Sequence, residues 1–161
     1  MSKHERSLAA PAFPDDDGQV APELAEALAQ PDDVRDDRVL AVYGDVRVYV
    51  PVVATLGSGG RTETGGDKDA DMAAVLMTGA DGRQALLTFS SVAAMGRWDP
   101  QARPVPVWGR DAARAAIDEG AAALLLDLAG PGFTVVETGD VQHLAAGHRL
   151  VSTDAGTAWL S

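Results

Sequence analysis

Residues 46–54 read Val46-Arg47-Val48-Tyr49-Val50-Pro51-Val52-Val53-Ala54, and this stretch decides the fold class. Val46, Val48, Val50 and Val52 fall on one side of an extended chain, with Arg47, Tyr49, Pro51 and Val53 on the other; the alternation and its β-branched residues predict a strand. The preceding sequence has a different period. In PELAEALAQ (22–30) Leu24, Ala25 and Leu28 share a face at helical spacing behind Pro22. PDDVRDDRVLAV (31–42) then restarts at Pro31 with two acids where the helix dipole favours them. Two short helices are expected to lead into the strand.

Beyond the strand, GSGGRTETGGDKDA (57–70) has five glycines and no large apolar side chain, and reads as a flexible connection. Asp71 to Thr78 and Arg83 to Phe89 predict two strands joined through Gly79-Ala80-Asp81-Gly82, where Asp-Gly supplies the positive φ of a tight turn. Ser90 and Ser91 are placed to cap a short helix ending at Trp98, with Val92, Met95 and Trp98 on its buried side and Asp99-Pro100 as the stop. In RPVPVWG (103–109) Pro104 and Pro106 put their missing N–H groups on one edge, which predicts an edge strand or polyproline-like strip. Asp111 is placed to cap a helix over 111–119, with Arg114 and Asp118 one turn apart and Gly120 at the C′ position. Ala122 to Leu128 reads as a buried strand, Gly130-Pro131-Gly132 as a turn, Phe133 to Glu137 as the hairpin partner, and Asp140 as the cap of a helix over 141–148. After Arg149 no period is visible. The order predicts a single α+β domain, a mostly antiparallel mixed sheet with flanking helices, over residues 22–148. An acidic N-terminal tail (1–21), too poor in large apolar groups to fold, precedes it, and a C-terminal tail (149–161) follows.

Charge and composition narrow the function. With 24 acidic and 13 basic side chains the formal charge is −11, which repels phosphate backbones and argues against a nucleic-acid partner. The first 45 residues hold 11 acids and four bases, so the acidity is concentrated at the front. The absence of cysteine removes disulfides, thiolate metal sites and cysteine nucleophiles, and fits a cytoplasmic protein. VYVPVVA and AAALLL are far shorter than the roughly 18–20 residues of a membrane helix, and Met1 to Pro14 lacks the apolar region of a signal peptide. No membrane association is expected. Eleven arginines against two lysines, one isoleucine and no asparagine are what the GC-rich codons of a bacterial genome produce.

No familiar catalytic or ligand constellation emerges. Gly57, Gly59 and Gly60 lack the last glycine of a dinucleotide fingerprint, Thr62 standing there, and Gly60 to Gly65 is followed by Gly66-Asp67 where a P-loop needs Lys-Ser/Thr. Asp67, Asp69 and Asp71 alternate like the opening of a calcium loop, but Met72 and Thr78 occupy the positions that require glycine and glutamate. His143 and His148 are five apart, not the four of a helical zinc pair, and His4 lies in the acidic tail. No G-x-S-x-G surrounds Ser90 or Ser91, and their helix-cap role is the expected one. The expectation is therefore no catalytic residue, no metal and no cofactor. What remains is a strip containing Arg97, Trp98, Asp99, Arg103, Pro104, Pro106, Trp108 and Arg110, which concentrates the Trp and Arg enriched in binding hot spots and points to a protein partner.

VRVYVPVVATL (46–56), DMAAVLMTGADGRQALLTFSSVAAMGRWDPQARPVPV (71–107) and AAIDEGAAALLLDLAGPG (115–132), in that order and spacing, resemble the SseB family N-terminal domain in its actinobacterial form. The likeness extends over about Pro31 to His148, and VPVVATL and WDPQARPVPV are its most specific parts. The resemblance implies an α+β domain and supplies no agreed catalytic residues. Some relatives carry a second domain, and the family name derives from a link to serine sensitivity. On this reading the chain is a non-enzymatic cytoplasmic interaction or regulatory module, with a small-molecule sensor in amino-acid (serine) or sulfur metabolism as the alternative.

Overall fold

The computed structural model describes residues 13–54 and 72–161. The glycine-rich connection, the Asp67, Asp69 and Asp71 series and His4 lie outside them. Helices α1 (Pro22–Leu28) and α2 (Asp32–Tyr43) lead into strand β1 (Arg47–Ala54). Strands β2 (Met72–Ala74), β3 (Leu76–Thr78) and β4 (Gln84–Thr88) follow, then α3 (Val92–Trp98), β5 (Arg103–Trp108) and α4 (Gly109–Asp118). The chain continues through β6 (Ala123–Leu126), β7 (Thr134–Glu137), α5 (Thr138–Ala145), β8 (Arg149–Thr153) and β9 (Gly156–Leu160). The fold is α+β.

The strands form a three-stranded antiparallel sheet in the order β2-β1-β5, a four-stranded mixed sheet β3-β4-β6-β7, and the β8–β9 hairpin. Two devices join the larger sheets. The segment expected as one strand over 71–78 is interrupted at Val75, so β2 pairs with β1 and β3 with β4. Tyr49 and Phe89 exchange both backbone hydrogen bonds at 2.8 Å, stitching β1 to the end of β4. That bond also turns the Tyr49 N–H away from β5. Pro106 faces Tyr49 and Pro104 faces Pro51, so the ladder with β5 runs through the intervening Val48–Val107 and Val50–Val105 pairs. β5 is thus an edge strand whose outer side lacks donors at both prolines, as expected from their spacing. Within the mixed sheet β4 and β6 run parallel, connected by α3, β5 and α4.

One face of the sheets carries the main core, in which Val46, Val48, Val50, Leu86, Leu124, Leu126 and Val136 meet helices α1, α2, α4 and α5. Leu24 and Ala27 of α1 and Val39 and Tyr43 of α2 enter it, while Ala25, assigned to the buried face, is exposed. Alanines 112, 113 and 116 let α4 approach closely, and at Gly109 an added Cβ would lie 1.8 Å from the Tyr43 carbonyl oxygen. Tyr49, Leu87, Phe89 and Met95 form a smaller core on the other face, with Trp98 tilted on Phe89 at 5.5 Å. Val92 is 42% exposed, so the buried side of α3 is narrower than its spacing suggested.

Several local expectations change. Asp111 does not cap α4: the helix begins two residues earlier, at Gly109, and Asp111 instead bonds Arg114 at 2.5 Å, leaving Asp118 without that partner. α5 likewise starts at Thr138, which places Asp140 in its first turn. Residues 13–21, read as part of a disordered tail, are docked on β1, because the Arg47 guanidinium there recruits a carboxylate; residues 1–12 lie outside the described chain. The patternless 149–161 stretch folds into the β8–β9 hairpin, held by buried Leu150 and by Trp159 packed against the core.

Candidate functional site

Parallel pairing places the carboxyl ends of β4 and β6 side by side, and the segments leaving them form the walls of a cleft of about 330 Å³. Ser90 and Ser91 lead from β4 into α3, while Asp127 leads from β6 into the Gly130-Pro131-Gly132 turn. Asp127 is the tie between the two walls. Its backbone N–H donates to the Thr88 carbonyl at 3.0 Å, and its carboxylate accepts from the Ser90 N–H at 2.8 Å and the Ser90 hydroxyl at 2.6 Å. Asp127 and Ala129 both hold positive φ, 57° and 69°, an unusual density of left-handed backbone outside glycine. Burial raises the Asp127 carboxyl above its ordinary range, against the pull of the Ser90 donors and the Arg97 charge.

The serines are occupied. Ser90 is 2% exposed and committed to Asp127, while the Ser91 hydroxyl oxygen accepts the Ala94 N–H at 3.0 Å as the cap of α3. Behind them Tyr43 donates to Thr88 at 2.8 Å and Thr88 to the Leu125 carbonyl at 2.8 Å, and burial pushes the Tyr43 hydroxyl up so that it stays a donor. The remaining lining is apolar, with Val20, Leu28, Leu128 and Pro131 among its walls and exposed Arg97 and half-buried Trp98 on α3.

The structure divides the sequence-predicted strip. Arg97 and Trp98 line the cleft, and Asp99 shapes the turn after α3 by accepting the Gln101 N–H at 2.8 Å. Arg103 is exposed at the start of β5, and Pro104 and Pro106 close its outer edge. Trp108 and Arg110 stand at the far end, five strand steps or roughly 17 Å from Arg103. There Phe13 tilts on Trp108 at 4.8 Å and the Arg110 guanidinium sits 5.5 Å over the same ring.

Two arrangements were missed at the sequence level. Arg47 is 8% exposed: its Nε donates to Asp16 Oδ1 at 2.7 Å, one terminal nitrogen to the Ser90 carbonyl at 3.0 Å and the other to the Gln19 carbonyl, with the guanidinium 4.4 Å over the Tyr49 ring. The Tyr49 hydroxyl donates to the other Asp16 oxygen, and burial together with that carboxylate pushes it up to about 12. An arginine set within a β-branched strand was the available signal. The second is the histidine pair. His148 N–H donates to the His143 carbonyl and Gly147 N–H to that of Leu144, both at 3.0 Å, a Schellman cap in which Gly147 takes φ 84°. The cap folds His148 back until the two Nδ1 atoms lie 2.8 Å apart, with His143 stacked on Trp159 at 4.8 Å. Among the described residues no group of three or more metal-ligating side chains assembles, and no helix is long and apolar enough to cross a membrane.

Comparison with the curated proteins and with the solved structures returns no match. The family model described as the SseB protein N-terminal domain matches residues 22–143, a stretch that includes most of the core and of the cleft lining and all of β5, and on that match the chain belongs to the SseB family.

Proposed function

We propose that this SseB-family chain is a non-enzymatic cytoplasmic protein-interaction or regulatory module, and that the cleft beside α3 is where it recognises a protein partner. One observation carries the reading: an apolar cleft has Trp98 and Arg97 on its wall, while the groups that could do chemistry in it, Ser90 and Asp127, are spent on each other. Tryptophan and arginine are residue types enriched in binding hot spots. About 330 Å³ is near the lower bound for small-molecule sites, a volume suited to one or two partner side chains. The charge of −11 argues against nucleic acid as the partner.

Affinity capture with the intact chain tests this. Arg97→Glu, on an exposed helical position, is expected to lose the partner with the fold intact by circular dichroism. Trp108→Ala and Arg103→Ala, away from the cleft, are expected to retain it. Equal recovery by Arg97→Glu and the unaltered chain would count against the cleft.

A second reading, a small-molecule sensor in amino-acid (serine) or sulfur metabolism, is favoured by the position of the cleft, since the carboxyl ends of parallel strands are a recurrent ligand site. A thermal-shift panel of amino acids, nucleotides and divalent ions separates the two. A ligand at a hundred times its dissociation constant stabilises by about 2.7 kcal/mol, and a flat panel removes the sensor reading for those compounds.

A further inference from the structure

At the opposite end of β5 from Arg103, the chain already holds a peptide. Residues 13–20 cross the face of β1 as a strap, with Pro14, Asp15, Asp17 and Gln19 exposed. Its grip comes from few groups. Asp16 gives one carboxylate oxygen to Arg47 and the other to Tyr49, and three residues earlier Phe13 covers Trp108. A turn closed by the Asp16 N–H on the Phe13 carbonyl at 3.2 Å puts both side chains on the protein side. The other anchors are the main-chain oxygens of Gln19, on Arg47, and of Gly18, on the Val92 N–H at 3.0 Å, with Gly18 at φ 79° and Val20 packed against the main core.

We propose that the groove walled by Arg47, Tyr49 and Trp108 is a binding site for an acidic peptide segment of another protein that carries an aromatic side chain three residues before an aspartate, with residues 13–19 as its exchangeable occupant in cis. The occupant defines the ligand chemistry. Arg47 Nε and the Tyr49 hydroxyl each donate to one oxygen of the carboxylate, and the Trp108 ring, flanked by Arg110, takes an aromatic face. Tyr49, whose hydroxyl titrates only near pH 12, remains a donor throughout the neutral range. Exchange is also feasible at Arg47, because the strap is its cover. When the strap leaves, the guanidinium opens to water and keeps the Ser90 carbonyl, so no buried charge is stranded. The walls fall within the stretch matched by the family model and the occupant outside it. This site adjoins the cleft beside α3, whose wall includes Val20, but its own walls are Arg47, Tyr49 and Trp108, so its test reads residues other than Arg97 and Trp98.

Tethering gives the cis segment an effective concentration on the order of millimolar, so a peptide in trans competes only where cis occupancy is weakened. The test uses the full chain and a fluorescein-labelled peptide spanning residues 12–21, followed by fluorescence anisotropy. The Asp16→Ala chain is expected to bind it at least about tenfold tighter than the unaltered chain, by the rule that apparent affinity scales with the fraction of free sites. Phe13→Ala, which leaves the ion pair intact, is expected to give a smaller gain. A peptide with its own Asp16→Ala change should lose binding, as should the Asp16→Ala chain when Arg47→Lys removes the Nε donor. Equal affinity of the unaltered and Asp16→Ala chains for the peptide, or binding indifferent to the peptide's aspartate, would overturn the proposal. So would loss of folding in the Asp16→Ala chain, because the strap would then be an integral part of the core.

Discussion

At the residue scale, Asp127 decides how the cleft is held and gives the most specific stability prediction. Its folded pKa is raised, so the native state binds the proton more tightly than the unfolded chain does. Stability from this group therefore falls as pH rises from the unfolded carboxylate value, near 4, through the raised folded one. Asp127→Asn keeps an acceptor for the Ser90 N–H, tolerates the φ of 57° and removes the charge. Its melting temperature minus that of the unaltered chain is expected to grow between pH 4 and pH 7. Asp127→Ala strands the Ser90 donors and is expected to cost about 2 kcal/mol by urea denaturation. Gly109→Ala forces a Cβ into the Tyr43 carbonyl and is expected to cost about 3 kcal/mol in the same assay. Neither Asp127 nor Arg47 was legible as a site residue, because what singles each out is a partner, Ser90 or Asp16, more than 30 positions away.

At the element scale, β5 was the most legible piece. Two prolines at a spacing of two limit the segment to an edge strand or polyproline-like strip from local rules alone, and the register with β1 makes it the strand and places them where no ladder bond is needed. The same geometry makes them guards of the edge. Replacing both, Pro104→Val with Pro106→Val, restores two outward donors and is expected to produce concentration-dependent self-association in sedimentation velocity, where the unaltered chain keeps one coefficient. The interruption at Val75 was not legible, since a strand divided between two sheets keeps a single alternation in sequence. The helix starts also shifted, as Gly109 and Thr138 are weak local signals that tertiary packing overrode. The α5 cap shows the reverse. Gly147 marks it locally, yet the His143–His148 contact emerges only from Schellman geometry, so Gly147→Ala, forced to φ 84°, is expected to cost about 1–2 kcal/mol and speed amide exchange through β8–β9.

At the scale of the whole molecule, the acidic front end is partly structural. Asp16 of the Asp15-Asp16-Asp17 run answers the one buried arginine among the described residues, and the other two face solvent. The α+β class and the family were readable from strand periodicity and from the 71–107 stretch. The cleft was not, because it needs the parallel pairing of β4 with β6, a contact between elements more than 30 residues apart. Only the Arg97–Trp98 end of the strip reached it, while Trp108 and Arg110 serve the strap. Partner binding at that cleft is the proposed activity of the chain. Hydrogen exchange of the intact chain, with and without a partner captured on it, tests this most directly. Slowed exchange at α3 and residues 128–132 is the predicted result, and protection confined to other surfaces, with these segments unchanged, would contradict it.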